Sequence, residues 1–150
     1  MIFRLDNGLE VVMEENHAVP VVAFQAWVKI GSADEPQELA GIAHVFEHML
    51  FKGTKRRGVG QIAREVEGSG GEINAWTSHD ETVYHLVLAS RFFDAGLDIL
   101  ADTLQNARRG RACFARFLTN IPTVVPSSGP RPPWAAYAGK ICWLSFPSAT

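Results

Sequence analysis

Two histidines and a glutamate fall within five consecutive residues, His44-Val45-Phe46-Glu47-His48. On a helix, positions four apart lie about 40° apart around the axis, and positions three apart lie about 60° the other way. His44 and His48 would then rise from one face with Cβ atoms about 5–6 Å apart. That separation lets both imidazoles reach one divalent ion at about 2.0–2.1 Å. Glu47 points past the ion toward a bound water, where a carboxylate can take the proton as the water attacks a carbonyl. The assignment is therefore His44 and His48 as metal ligands, Glu47 as catalytic base and Zn2+ as cofactor. The competing reading is a solvated polar face that holds two histidines by coincidence, because a five-residue pattern is short.

The segment around the pattern has helical periodicity. Ile42, Val45, Phe46, Met49 and Leu50 recur at i, i+3, i+4, i+7 and i+8 and make one apolar stripe, while His44, Glu47, His48 and Phe51 make a second. The spacing predicts a helix over 39–51. Upstream, the two-residue turn signal Asn7-Gly8 between alternating apolar flanks predicts a hairpin over 2–14. Val22, Phe24, Ala26, Val28 and Ile30 fall on one face of a strand predicted over 21–30. Downstream come a helix over 60–67, ending at Gly68 as a residue suited to positive φ, and two strands over 72–77 and 82–89 joined by Ser78-His79-Asp80. A last helix is predicted over 91–106, with Ser90 as its N-cap. Tyr84 reads as core or cleft lining and His85 as a packed strand residue. His79, Asp80 and Glu81 read as a solvated turn, with a metal-binding role as the alternative.

A chain of 150 residues with 47% hydrophobic and 20% charged residues can bury a core and is not a disordered polymer. No apolar run approaches the roughly 18 residues that a bilayer span needs. The first residues, Met1 to Asp6, do not carry a basic stretch followed by an apolar one, so no secretory signal is read and a cytoplasmic location is the default expectation. Cys113 and Cys142 make neither a C-x-x-C pair nor a disulfide framework. The net charge of −2 hides an asymmetry: residues 1–102 hold all 16 acids and eight bases, whereas 103–150 hold six bases, no acid and six of the eight prolines. Periodicity fails after Asn106 as well. The basic tail contains no ordered or repeated motif, so a nucleic-acid partner is not expected.

Several linked stretches carry a family resemblance. Val28-Lys29-Ile30-Gly31-Ser32-Ala33-Asp34-Glu35-Pro36, Gly41 to Thr54 around the histidines, Gly70-Gly71-Glu72-Ile73-Asn74-Ala75-Trp76-Thr77-Ser78 and Glu81-Thr82-Val83-Tyr84-His85 together resemble the pitrilysin/insulinase family of inverted-motif zinc metallopeptidases, which includes the mitochondrial processing peptidases. The resemblance covers residues 1 to about 106. It implies an α+β fold, with a mostly antiparallel sheet and helices packed on one side. It implies zinc held by His44 and His48 and Glu47 as general base. It also implies an edge strand near residues 71–77 that pairs with extended peptide substrates, with Asn74 and Ala75 beside the scissile region. For Asn74 the alternative is a turn or strand-end residue that bonds its own backbone. The implied partners are a peptide or protein substrate and a second homologous domain or subunit.

The third zinc ligand implied by the resemblance is a downstream glutamate that falls by spacing near Val125, with a supporting acid near Leu118; neither position is acidic. The expectation is thus a partial peptidase domain over 1–106 and a Pro/Arg-rich, poorly ordered tail outside the family over 107–150. The abrupt change points to a shifted reading frame or altered splicing near residue 107. The functional expectation is a zinc endopeptidase incomplete in this chain. The alternatives are a non-catalytic peptide-binding or assembly module, an inactive fragment, or a site completed by Asp80, Glu81 or an acid from a partner chain.

Overall fold

A computed structural model of the chain describes residues 1–6, 8–107 and 140–146. Six strands form one sheet in the order β1-β2-β6-β3-β5-β4. The strands are β1 (Ile2–Arg4), β2 (Glu10–Glu15), β3 (Val21–Val28), β4 (Glu72–Thr77), β5 (Thr82–Ala89) and β6 (Lys140–Phe146). Every pairing is antiparallel except β3 with β6. Three helices, α1 (Ile42–Leu50), α2 (Gln61–Gly68) and α3 (Phe93–Asn106), pack on the sheet: α1 and α2 meet β4, and α3 meets β3 and β5. The fold is α+β, as the resemblance implied.

Alternation along the strands decides which face the helices cover. Val22, Phe24, Ala26 and Val28 of β3 and Tyr84, Leu86 and Leu88 of β5 are buried in one core with Leu50, Ile62, Val66, Leu97 and Leu100 from the helices. A Cβ on Gly96 would meet Leu88 Cδ2 at 2.8 Å and Phe24 Cε2 at 2.9 Å, so α3 lies flush on the sheet. On the opposite face, Trp27 and Trp76 meet edge to face with centroids 6.0 Å apart, and Val87 is exposed.

Several boundaries depart from the sequence expectation. The β1–β2 turn spans three residues, not two: Leu5 N donates to Leu9 O at 2.8 Å and Gly8 N to Leu5 O at 2.9 Å. Gly8 takes φ 85°, the left-handed residue that such loops need. Asn7 lies outside the described residues. β3 ends at Val28, where Ile30 N turns back to Val28 O at 2.8 Å. α1 starts at Ile42 because Gly41, at φ 92°, stands outside helical geometry, and the preceding residues Gln37–Leu39 form a separate 3-10 turn. Gly68 is the last residue of α2, and positive φ falls instead on Gly70. Ser90 does not cap α3; it opens the 3-10 turn Ser90–Phe92, and α3 begins at Phe93 without a side-chain cap.

Within the stretch expected to be a tail, Lys140–Phe146 forms β6, which pairs with β2 on one side and β3 on the other. Ile141 to Leu144 is a continuous apolar run, so it offered no period-two alternation to find. Residues 108–139 and 147–150, including Leu118 and Val125, lie outside the described residues.

Candidate active site

The helix that carries His44, Glu47 and His48 is held at its N-terminus by a residue from the preceding loop. Glu35 accepts from Gly41 N at 2.6 Å through Oε2 and from Ala43 N at 2.8 Å through Oε1. One carboxylate thus satisfies two of the donors that a helix start leaves open, and its charge suits the positive end of the helix. The loop is in turn fastened to the β4–β5 turn: Ser32 N donates to Ser78 O at 3.0 Å and Ala33 N to His79 O at 2.9 Å. Gly31 allows this approach, since a Cβ there would lie 2.2 Å from His79 O.

The buried stripe of α1 differs from the one predicted. Ala43, Phe46, Glu47 and Leu50 face inward, whereas Val45 is 51% exposed. The helix is rotated so that Glu47, not Val45, turns toward β4. There Thr77 Oγ1 donates to Glu47 Oε2 at 2.6 Å. His44 and His48 remain exposed, with ring centroids 4.6 Å apart and Nε2 atoms 3.0 Å apart. Two imidazole nitrogens this close share either a proton or a cation. Two ligands at about 2.0–2.1 Å in tetrahedral geometry stand about 3.3 Å apart, so the histidine pair fits two corners of a zinc site. Glu47 Oε2 lies 3.7 Å from His44 Nδ1, on the side of the ring away from the Nε2 pair.

The remaining acids and histidines do not complete a ligand set. Among the described residues, no group of three His, Cys, Asp or Glu side chains is placed to hold a metal ion. Asp80 is exposed in the β4–β5 turn, and His79 Nδ1 pairs with Ser32 Oγ at 3.1 Å. His85 lies on the sheet face away from the helices, 5.4 Å from the Trp76 ring, with Nδ1 buried and unpartnered among the described residues. Tyr84 is buried beneath the site; burial, and then the Glu47 charge, push its phenol above the ordinary value.

β4 is an edge strand of the sheet, as the resemblance implied. Asn74 is exposed on it, and its Oδ1 accepts from Ala75 N at 2.9 Å.

Three features of the site escaped sequence reasoning. Glu35 and Thr77 each act across a gap in sequence that periodicity does not bridge. Strand alternation alone does place Thr77 on the Ala75 face, toward the helices. The third feature is an ion cluster that joins the segment Thr54 to Arg57 to α2 and α3. Arg57 donates to Glu65 at 2.9 Å, to Asp98 at 2.7 Å and to Asp102 at 2.7 Å, and Thr54 Oγ1 adds a 2.7 Å bond to Asp102. Arg56 forms a bidentate pair with Asp98 at 2.8 Å for both bonds. Burial alone would lower the Arg57 guanidinium, but the three carboxylates hold it above its ordinary value. The hydrogen bond from Arg57 holds Glu65 below the usual carboxylate range.

Comparison with known proteins fits this geometry. The model of the insulinase family, peptidase family M16, matches residues 10–120. The chain is 42% identical over 106 residues to the mitochondrial-processing peptidase subunit beta of Blastocladiella emersonii, covering 71% of this chain and 23% of the relative. It is 43% identical over 106 residues to an uncharacterized zinc protease of Rickettsia felis, covering 71% and 26%. Among solved structures, pitrilysin superposes with TM-score 0.65 at 28% identity, over 79% of this chain and 13% of that one. A protease from Helicobacter pylori gives TM-score 0.61 at 28% identity, over 80% and 28%. The chain therefore spans about a quarter or less of the length of these curated relatives. With the motif helix, the edge strand and the matched span in agreement, the chain belongs to the insulinase family of peptidases, M16.

Proposed function

We propose that residues 1–106 are the zinc- and base-bearing part of a metalloendopeptidase that hydrolyses extended peptides, incomplete in this chain. The observation that carries the reading is the meeting of the His44 and His48 Nε2 atoms at 3.0 Å beside a buried Glu47. Bound zinc would supply a polarised peptide carbonyl and an acidified water. The chain's own residues supply the rest: His44 and His48 hold the ion, and Glu47 takes the proton from the attacking water. A substrate strand would add to the open edge of β4, with Asn74 and Ala75 beside the bond to be cut. Its arrival requires the Asn74 amide to release Ala75 N. The missing ligand and the rest of the substrate chamber would come from a second homologous domain or subunit. The name of one relative, a subunit, and the length of the relatives support this. The tail that leaves the family pattern is put at residues 107–150 by the loss of acids and the rise in proline, although the family model runs on to residue 120. Translation of the two other reading frames past that codon should reveal an acidic helical pattern with glutamates seven apart; its absence from both removes the frameshift explanation.

Zinc stoichiometry tests the main reading. The purified chain should hold zinc that is lost in His48→Ala and kept in Glu47→Gln, while Glu47→Gln abolishes any peptidase activity. Zinc content unchanged by His48→Ala overturns the assignment. The lack of a three-ligand cluster among the described residues favours a second reading, a non-catalytic peptide-binding or assembly module. Peptide binding without zinc or turnover would select it.

A further inference from the structure

Glu47 is only 6% exposed, yet its two oxygens are not equivalent. Oε2 accepts the short bond from Thr77 Oγ1 at 2.6 Å. Oε1 has no hydrogen-bond partner among the described residues. We propose that Thr77 is a positioning residue, which ties down one oxygen of Glu47 and leaves the other as the single open proton acceptor. The inference rests on the peptidase reading for its functional meaning, but the geometry stands without it. A glutamate has three side-chain torsions, so an untethered carboxylate at the edge of a cleft samples several rotamers. A hydroxyl donating to a carboxylate is a strong, short bond that selects one of them. The donor sits at the end of β4, the strand whose outer edge would receive a substrate. The bond therefore fixes the base relative to the strand that holds the peptide, not merely relative to its own helix. Holding a reacting group in place in this way acts on turnover more than on binding.

The test compares Thr77→Val, which keeps the shape and removes the donor, with Thr77→Ser, which keeps the donor, in the full chain. Side-chain scalar couplings of Glu47 by NMR should report one rotamer in the parent and in Thr77→Ser, and averaged rotamers in Thr77→Val. Zinc affinity should stay within about twofold in both, because neither histidine is touched. Where turnover is measurable, Thr77→Val should lose about tenfold in kcat with KM within twofold, and Thr77→Ser should recover it. A single unchanged Glu47 rotamer in Thr77→Val overturns the proposal. A parent chain that binds no zinc sinks the peptidase reading instead, and leaves the rotamer comparison to decide the role of Thr77.

Discussion

Glu47 and Asp102 are both buried carboxylates, and their surroundings give them different tasks. Asp102 has both oxygens engaged: Oδ2 accepts from Thr54 and Arg57, each at 2.7 Å, and Oδ1 accepts from Asn106 at 3.1 Å. Such a group is a structural anchor, and Arg57→Met should cost about 3–5 kcal/mol in urea unfolding, because it strands a buried charge. A cost below about 1 kcal/mol would mean that solvent reaches Asp102. Tyr84 gives a second expectation. Its titration is raised in the folded state, so it contributes stability in full below the unfolded value of about 10, and that stability fades as pH rises beyond it. Thermal unfolding from pH 8 to 11 should show this decline, and Tyr84→Phe should flatten it. The His44-x-x-Glu47-His48 spacing was legible in the sequence because one helix fixes its geometry. The Arg57–Asp102 pair, 45 residues apart, was not, since only the finished fold brings its members together.

Elements were legible where periodicity dominates and blurred where capping decides. β4 and β5 fall on the ranges that alternation predicted, Glu72–Thr77 and Thr82–Ala89. The start of α1 was misplaced by three residues, because a run of Pro36, a 3-10 turn and Gly41 intervenes. Its apolar stripe was misassigned because Glu47 finds a partner across the sheet edge, and that makes burial of a carboxylate tolerable. The Glu35 cap came from outside the helix, so no N-cap rule pointed to it. Glu35→Ala should destabilise the chain by about 0.5–2 kcal/mol. Amide exchange should accelerate first at Gly41 and Ala43, and only later in α3. Equal acceleration across both helices would show that the cap has no local role.

For the whole molecule, the fold class and the covered face of the sheet were legible, because core-facing strand positions and helix stripes share one apolar side. The place of β6 was not, since a strand's neighbours depend on which gap in the sheet remains open. That place has a consequence for the order of assembly. Among the described residues, the β1–β2 pair is hydrogen-bonded to the remaining strands of the sheet through β6, whose partners in β3 lie 118 positions earlier, as with Ala23 and Ile141. Pairings so distant along the chain form late. A polypeptide ended at residue 139 should keep slow exchange in β3 and β5 and lose it in β2; equal retention in all three would contradict this. During folding, the β1–β2 pair would thus wait for a strand more than a hundred positions downstream before it is locked into the sheet.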